Sequence, residues 1–125
     1  MEALQRTVLV VDDEPALRLL CRVNLELEGY RVLEAGTVRR ARDLLESDSV
    51  DVVLLDVHVG TGSGLDLLDE IEGLDLPARV VVLSGTSEIS AEVRARVHGV
   101  LGKPFGLAEL SAAVAGGSSD RVSGA

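Results

Sequence analysis

The sequence predicts an α/β domain in which helices cover both faces of a parallel β-sheet. Short apolar runs rich in β-branched residues alternate along the chain with longer amphipathic stretches, the pattern of successive strand–helix units. The runs VLVV, VVLL and VVVL are continuously apolar, as expected for strands buried on both faces. A length of 125 residues with 46% hydrophobic residues suffices for one domain with its own core.

The first unit begins with TVLVV, which predicts a strand at 7–11. Pro15 suits the first turn of a helix, and Gly29 suits the stop at the end of that helix. Between them, residues recur at helical spacing at Leu17, Leu20, Cys21, Asn24 and Leu27. We therefore predict the first helix between Pro15 and Gly29.

The second and third units repeat this order. YRVLEA predicts a strand at 30–35, and the following helix runs from Thr37 to about Asp48 with an apolar face of Val38, Ala41, Leu44 and Leu45. VDVVLLD predicts a buried strand at 50–56. The third helix runs from Gly64 to about Gly73, with Leu67, Leu68 and Ile71 facing inward.

The last two units are shorter. ARVVVLS after Pro77 predicts a strand at 78–84, and Ile89, Val93 and Val97 predict a short helix over 90–97. A brief strand at 100–101 and a helix over 106–115 complete the pattern. We assign residues 1–116 to the domain and 117–125 to a flexible tail rich in Gly and Ser.

Composition narrows the classes of function. A net charge of −9 argues against nucleic acid as a partner, because phosphate binding needs clustered Lys and Arg. Cys21 is the single cysteine, so no internal disulfide forms, as suits a reducing cytosol. No segment resembles a signal peptide, and the apolar runs are too short to span a bilayer. We expect a cytoplasmic domain without a membrane partner.

Charged and polar residues stand where the predicted strands end. Asp12 and Asp13 follow the first strand, Asp56 ends the third, Ser84 ends the fourth, and Lys103, the single lysine, follows the fifth. Right-handed crossovers bring the carboxyl ends of parallel strands to one edge of the sheet, where ligands bind. The topology therefore predicts that these five residues form one site.

Three carboxylates in one cleft suit Mg²⁺, which prefers oxygen ligands. An Asp beside a metal ion and a lysine can attack phosphorus as a nucleophile and form an acyl phosphate. The cation, the Lys103 ammonium and the Ser84 hydroxyl would stabilise charge on the phosphoryl oxygens. The sequence thus favours phosphoryl transfer to an Asp.

The ordered motifs VLVVDDEP, VDVVLLD, VVVLSG and LGKPF resemble the receiver domain of two-component response regulators over roughly residues 6–115. The resemblance implies a flavodoxin-like doubly wound sheet of five parallel strands, in the order 2-1-3-4-5, with five helices. It implies that Asp56 is the phosphoacceptor and that Asp12, Asp13, Asp56 and the backbone carbonyl of His58 bind Mg²⁺. Ser84 and Lys103 match the family's hydroxyl and lysine, Gly85 matches the small residue that leaves room for the phosphoryl group, and the Lys103–Pro104 bond is expected to be cis.

The resemblance also implies partners. A histidine kinase or a phosphotransfer protein would supply the phosphoryl group from a phosphohistidine, and phosphorylation would alter binding to a downstream protein that the sequence does not identify. Such a domain catalyses its own phosphorylation and slow dephosphorylation. Leu19 and Val23 lie off the main apolar stripe of the first helix, where the donor protein would dock. The chain fits both a stand-alone receiver and a receiver joined to another domain.

Three departures from the family pattern bear on output. Gly60 replaces the usual Pro four residues after the phosphoacceptor, and Val100 replaces the usual Tyr or Phe three residues before the lysine. The stretch between Ser84 and Lys103 is also about three residues shorter than in most members, a shortening we place between the fourth helix and the fifth strand. Because Val100 is small and stiff at χ1, we expect phosphorylation to change the loops 57–64 and 84–88 more than residues 90–115.

Other interpretations of these residues were open. Strand-end aspartates are often only helix caps, Ser84 could be an ordinary turn serine and Lys103 a solvated lysine. His58 is expected to be exposed, tuning water access rather than acting as a base, and Cys21 is expected in the core.

Three other functions compete with phosphoacceptance. A pseudo-receiver, a binding module with phosphate-independent output, is the alternative. A haloacid-dehalogenase-like phosphatase needs an Asp where His58 stands, and GTGSG lacks the last Gly of a dinucleotide loop and the Gly-Lys of a P-loop.

Overall fold

The computed structural model describes residues 5–60, 62–85 and 89–116. Its strands, in chain order, are β1 (Thr7–Val11), β2 (Arg31–Ala35), β3 (Val52–Asp56), β4 (His58–Val59), β5 (Gly62–Ser63), β6 (Arg79–Ser84) and β7 (Gly99–Gly102). Five of them form one parallel sheet in the order β2-β1-β3-β6-β7. With β4 and β5 left out of the count, this is the predicted order 2-1-3-4-5.

The described residues form five helices, as predicted: α1 (Pro15–Leu27), α2 (Val38–Ser47), α3 (Gly64–Gly73), α4 (Ala91–Arg96) and, after the last strand, α5 (Leu107–Ala115). Side-chain oxygens satisfy otherwise unpaired N–H groups at three of the helix starts. Thr37 accepts from Arg40, Ser63 from Leu65 and Ser90 from Val93. These caps contribute to the starts of α2, α3 and α4.

Alternation along the strands divides the core between the two faces of the sheet. Leu9, Val11, Val53 and Leu55 point to one face and pack with α2 and α3, through buried residues that include Ala41, Leu44, Leu67, Leu68 and Ile71. Val8, Val10, Val52 and Leu54 point to the other face, where Cys21, Leu25, Leu110 and Val114 of α1 and α5 cover them. Burial raises the pKa of the Cys21 thiol to about 11, so that this cysteine is a neutral core residue, as predicted.

The predicted apolar stripe of α1 was partly wrong. Leu25 is buried, whereas Leu27 is 81% exposed and Leu20 is 41% exposed. A helix on a sheet buries a narrow stripe, here Cys21 and Leu25 at a spacing of four, and Leu27 lies about 200° around the helix from Leu25. The exposure of Leu19 and Val23 agrees with the prediction.

The antiparallel pair β4–β5 was not predicted, since the segment after β3 was expected to be a loop. His58 pairs with Ser63 and Val59 with Gly62, so a short antiparallel pair begins two residues after Asp56. The predicted tail, 117–125, lies outside the described residues and stays a prediction, as does the part of the loop 84–88 that comprises 86–88. In the described ranges, no helix is both long and apolar enough for a bilayer crossing.

Candidate functional site

Three carboxylates meet at the carboxyl edge of the sheet. Asp12 and Asp13 follow β1, and Asp56 is the last residue of β3, the neighbouring strand. One oxygen from each of the three side chains lies within 4.8 Å of the others. The structure therefore brings together the three acids that the sequence placed at this edge.

Lys103 reaches into this group from the end of β7. Its Nζ donates to Asp12 Oδ2 at 2.7 Å and to Asp56 Oδ2 at 3.4 Å. Its backbone N–H donates to the carbonyl of Ser84 at 2.7 Å, and the Lys103–Pro104 peptide bond is cis, as predicted. The lysine thus joins two aspartates from different strands, one of them 91 positions away in sequence.

The two neighbouring acids differ in exposure. Asp12 is fully buried, and its Oδ1 accepts from the N–H of Glu14 at 2.9 Å. Asp13 is exposed, and its Oδ2 accepts from the N–H of Gly60 at 3.1 Å, next to the β4–β5 pair. The Asp12 side chain is therefore buried and held in place at the base of the site, while Asp13 links the site to the segment that follows Asp56.

Burial and neighbouring charges shift the pKa values of Asp56 and Lys103, which face each other across the site. Burial raises the pKa of Asp56, and the charge of Asp12 raises it further, against the opposing effects of Lys103 and of the His58 N–H. Burial by itself lowers the pKa of Lys103, but the hydrogen bond and charge of Asp12, aided by Asp56, outweigh it and raise that pKa. Lys103 is thus a permanent cation, and Asp56 is a carboxylate whose charge is not fully compensated.

Ser84, Gly85 and His58 complete the predicted set. Ser84 ends β6 with 5% of its surface exposed, opposite Gly102 of β7. Gly85 follows, and no heavy atom of the described residues lies within 4 Å of where its Cβ would be. His58 is exposed, as expected, and its N–H donates to Asp56 Oδ1 at 3.3 Å. The assignment of its carbonyl as a metal ligand stays a prediction.

Gly64 is a site residue that the sequence reasoning missed. A Cβ on this first residue of α3 would lie 2.0 Å from the carbonyl oxygen of Asp56 and 3.2 Å from that of Val57. Its N–H donates to the Val57 carbonyl at 2.8 Å. A glycine at the start of a helix, eight residues after the strand-end Asp, was the available signal, but only the close approach of two backbone segments explains it.

The acids suit a hard divalent cation. Mg²⁺ takes oxygen ligands and uses one or two carboxylates directly, and here three carboxylates offer oxygens within 4.8 Å of one another. Their mutual repulsion is relieved only in part by the single ammonium of Lys103. Asp12, Asp13 and Asp56 are therefore the residues that could hold such an ion.

An apolar groove of about 310 Å³ opens beside the site. Leu17, Leu20, Pro104 and Phe105 line it together with Glu14 and Lys103. On the same helix, Leu19, Val23 and Leu27 are also exposed. The acidic site is thus flanked on one side by an apolar surface that belongs mainly to α1.

Comparisons with known proteins agree with this arrangement. The sequence model of the response regulator receiver domain matches residues 8–115. The transcriptional regulatory protein KdpE of Mycobacterium tuberculosis is 40% identical over 108 residues, which are 84% of this chain and 47% of KdpE. Sporulation initiation phosphotransferase F of Bacillus subtilis is 30% identical over 112 residues, 86% of this chain and 89% of that protein. The chain spans about half the length of the KdpE relatives it matches.

Solved structures share the fold. A signal receiver domain from Vibrio parahaemolyticus has a TM-score of 0.83 and 27% identity, over 90% of this chain and 88% of that one. A response regulator from Burkholderia pseudomallei, solved with a phosphorylated aspartic acid, a calcium ion and citrate, has a TM-score of 0.80 and 26% identity, over 95% and 72% of the two chains. The fold, the strand-end acids with their lysine, and these likenesses lead to one conclusion: the chain belongs to the response regulator receiver domain family.

Proposed function

We propose that Asp56 accepts a phosphoryl group and that the domain works as the phosphoacceptor of a two-component phosphorelay. The observation that carries the proposal is the position of Lys103, whose ammonium contacts Asp56 and the buried Asp12 at once. A lysine held there offers a fixed positive charge beside the attacking carboxylate, where charge develops on the phosphoryl oxygens.

In the proposed reaction an Asp56 carboxylate oxygen attacks the phosphorus of a phosphohistidine. The new O–P bond forms as the donor's P–N bond breaks, and the electron pair returns to the imidazole nitrogen. Lys103 and the Ser84 hydroxyl bind phosphoryl oxygens, while Asp12 keeps Lys103 in place. Mg²⁺ held by Asp12, Asp13, Asp56 and the His58 carbonyl would neutralise negative charge shared by the acids and the phosphoryl group.

Two relatives support this chemistry. The Bacillus subtilis protein is named a phosphotransferase, and the Burkholderia pseudomallei structure contains a phosphorylated aspartic acid with a calcium ion. Both belong to chains that this one matches over 86% or more of its own length. A site of three carboxylates and one lysine fits the same use.

The donor we propose is a histidine kinase or a phosphotransfer protein, met in the cytoplasm. The exposed apolar side chains of α1 and the groove they border adjoin the acids, so a donor helix seated there would bring its phosphohistidine to Asp56. The downstream partner would be a protein, since a net charge of −9 disfavours contact with nucleic acid by this domain.

The direct test is intact mass after incubation with acetyl phosphate and MgCl₂. We expect the wild type to gain the mass of one phosphoryl group and Asp56→Asn to gain none. Asp66→Asn is the matched control, because Asp66 is an exposed carboxylate in the first turn of α3 and should leave labelling unchanged.

Labelling of the Asp56→Asn protein at one site would refute the assignment of Asp56. A wild type that binds its partners but takes no phosphoryl group from any donor would instead support the pseudo-receiver alternative, a binding module with phosphate-independent output. The replacement of the family's aromatic residue by Val100 is the feature that keeps that alternative in view.

A further inference from the structure

Arg18 contacts the backbone between the two acids that follow β1. Its Nη1 donates to the carbonyl oxygen of Asp12 at 2.7 Å. That carbonyl belongs to the peptide group that joins Asp12 to Asp13, so its direction governs how the Asp13 side chain leaves the chain. No role in the site was predicted for Arg18 from sequence.

The guanidinium is itself held from the other side. Arg18 Nε donates to Glu34 Oε1 at 3.1 Å, and 19% of the Arg18 side chain is exposed. Glu34 lies on β2, the strand next to β1, and Arg22 anchors its second oxygen at 2.8 Å. A planar guanidinium can direct two donors to two fixed acceptors at once, which a lysine ammonium on a flexible stem does poorly.

The chain leaves room for this guanidinium at Gly36. A Cβ on Gly36 would lie 3.0 Å from Arg18 Nη1, tighter than an ordinary contact. Gly36 follows Ala35, whose carbonyl accepts from the N–H of Asp12 at 3.1 Å. The Asp12 peptide groups are therefore held on both sides, by β2 through Ala35 and by α1 through Arg18.

The carboxylates of Asp12 and Asp13 have hydrogen-bond donors other than Arg18. Within the described residues, Arg18 donates to the Asp12 carbonyl and to Glu34, whereas Lys103 donates to the Asp12 carboxylate and the Gly60 N–H donates to that of Asp13. Arg18 is therefore in contact with the backbone that carries the two acids, while other groups bind their carboxylates.

We infer that Arg18 is a positioning residue for the metal-binding acids: anchored by Glu34, it fixes the Asp12–Asp13 peptide and thereby sets the spacing of the two carboxylates. The inference rests on the proposed function, because it assigns Arg18 to the Mg²⁺ site proposed there. Its effect should appear as Mg²⁺ affinity, which depends on how the carboxylates are held.

The test is calorimetric titration with MgCl₂ of the wild type, Arg18→Ala, Arg18→Lys, Arg22→Ala and Asp13→Asn. Arg22→Ala is the matched control, since Arg22 lies one turn later on α1 and binds the same Glu34 but not Asp12. We expect Arg18→Ala to bind Mg²⁺ about tenfold more weakly, Arg18→Lys to lose part of the affinity, and Arg22→Ala to bind like the wild type.

Kinetics separate positioning from general damage. With acetyl phosphate as donor, Arg18→Ala should need a higher Mg²⁺ concentration for half-maximal labelling, while the rate at saturating Mg²⁺ recovers. Melting in EDTA compares the two arginine variants, which both lose an ion pair to Glu34; only Arg18→Ala should also lose Mg²⁺ affinity. If Arg18→Ala does not fold, Arg18→Lys carries the test, and wild-type affinity in that variant would overturn the inference.

The remaining outcomes are distinct. A folded Arg18→Ala protein that binds Mg²⁺ as tightly as the wild type, while Asp13→Asn does not, overturns the inference and leaves the proposed metal site standing. Equal weakening in Arg18→Ala and Arg22→Ala also overturns it, since the effect would then come from Glu34. A wild type without Mg²⁺ affinity overturns the proposed site and the inference together.

Discussion

Asp56 faces a second carboxylate and one ammonium in a partly dehydrated pocket. Burial raises its pKa first and the Asp12 charge second, so the folded protein holds the Asp56 proton to a higher pH than the unfolded chain does. Folding is therefore favoured where Asp56 is protonated in the native state, and its ionisation at neutral pH destabilises the fold. At neutral pH the negative charge of Asp56 is therefore less well balanced than the charge of a carboxylate in an ordinary salt bridge.

The raised pKa of Asp56 predicts how the melting temperature depends on pH. Asp56→Asn should raise the melting temperature at pH 7 in EDTA, because the amide removes a charge that the folded state disfavours. The gain should shrink as the pH falls through the titration range of Asp56, where the wild type also becomes neutral. Scanning calorimetry at several pH values measures it, and a gain that grows towards acid would contradict the direction given for this pKa.

The second prediction concerns metal. MgCl₂ should raise the melting temperature of the wild type by mass action. At a free Mg²⁺ concentration of one hundred times the dissociation constant, the free energy of unfolding should rise by about 2.7 kcal/mol. Asp13→Asn should respond far less, since it loses an oxygen ligand, and should melt higher than the wild type in EDTA because one repulsive charge is gone. Identical responses of the two proteins would place the cation elsewhere.

At the scale of elements, the start of α3 is packed against the backbone of β3. Gly64→Ala should destabilise the fold by about 1–3 kcal/mol, because the new methyl group has to displace the Asp56–Val57 backbone. It should also slow phosphorylation, since that shift moves Asp56. Urea unfolding and the labelling rate measure the two effects.

Gly73→Ala is the matched control in the same helix. Apart from the neighbouring residues and backbone of α3 itself, no heavy atom of the described residues lies within 4 Å of a Cβ at Gly73, so a helical alanine should leave stability equal or slightly higher. Similar losses in both variants would show that the approach of Gly64 to β3 is not what matters.

Helix α4 is held differently from the other helices. None of its six residues is buried, and Arg96 in its last turn binds Asp69 and Glu72 of α3, the latter at 2.7 Å. The predicted apolar spacing of Ile89, Val93 and Val97 is present, but these side chains are only half-buried. Surface ion pairs of Arg96 therefore help to hold α4 against α3, and apolar packing stabilises the position of α4 less than that of the other helices.

Across the whole molecule, we expect phosphorylation to alter some segments far more than others. Val100 lies half-buried on β7 opposite Val82, and as a β-branched residue it lacks the two arrangements of a rotating aromatic. We expect beryllofluoride, a phosphoryl mimic, to change amide exchange mainly in 57–64 and 84–88, of which 61 and 86–88 lie outside the described residues. Residues 90–115 should change less.

Asp56→Ala with beryllofluoride is the control for that mapping, because it lacks the carboxylate that we propose as the phosphoacceptor and thus as the binding site of the mimic. Large changes confined to 90–115 with quiet loops at 57–64 and 84–88 would show that the surface formed by α4, β7 and α5 responds without an aromatic residue. Val100 would then not prevent phosphorylation from reaching that surface.

The strand–helix alternation and the strand-end positions of the site residues follow from the amino-acid sequence alone. Side-chain burial repeats every two residues in strands and about every 3.6 in helices, so a continuous apolar run such as VVLL marks a central strand without any knowledge of its neighbours. The turn residues Pro15 and Gly29 added the ends of α1. Because the acids and the lysine follow such runs directly, their common edge followed from the rules of parallel sheets.

Which of these groups touch depends on how the whole chain packs in three dimensions. The contacts of Lys103 with Asp12, of Arg18 with the Asp12 carbonyl and of Gly64 with the Asp56 backbone depend on register and on how closely two elements approach. The same holds for the exposure of Leu27, which depends on how α1 is rotated on the sheet. Local periodicity carries burial, whereas distances between remote residues arise from packing of the whole chain, and that is why the second kind of information appeared only in three dimensions.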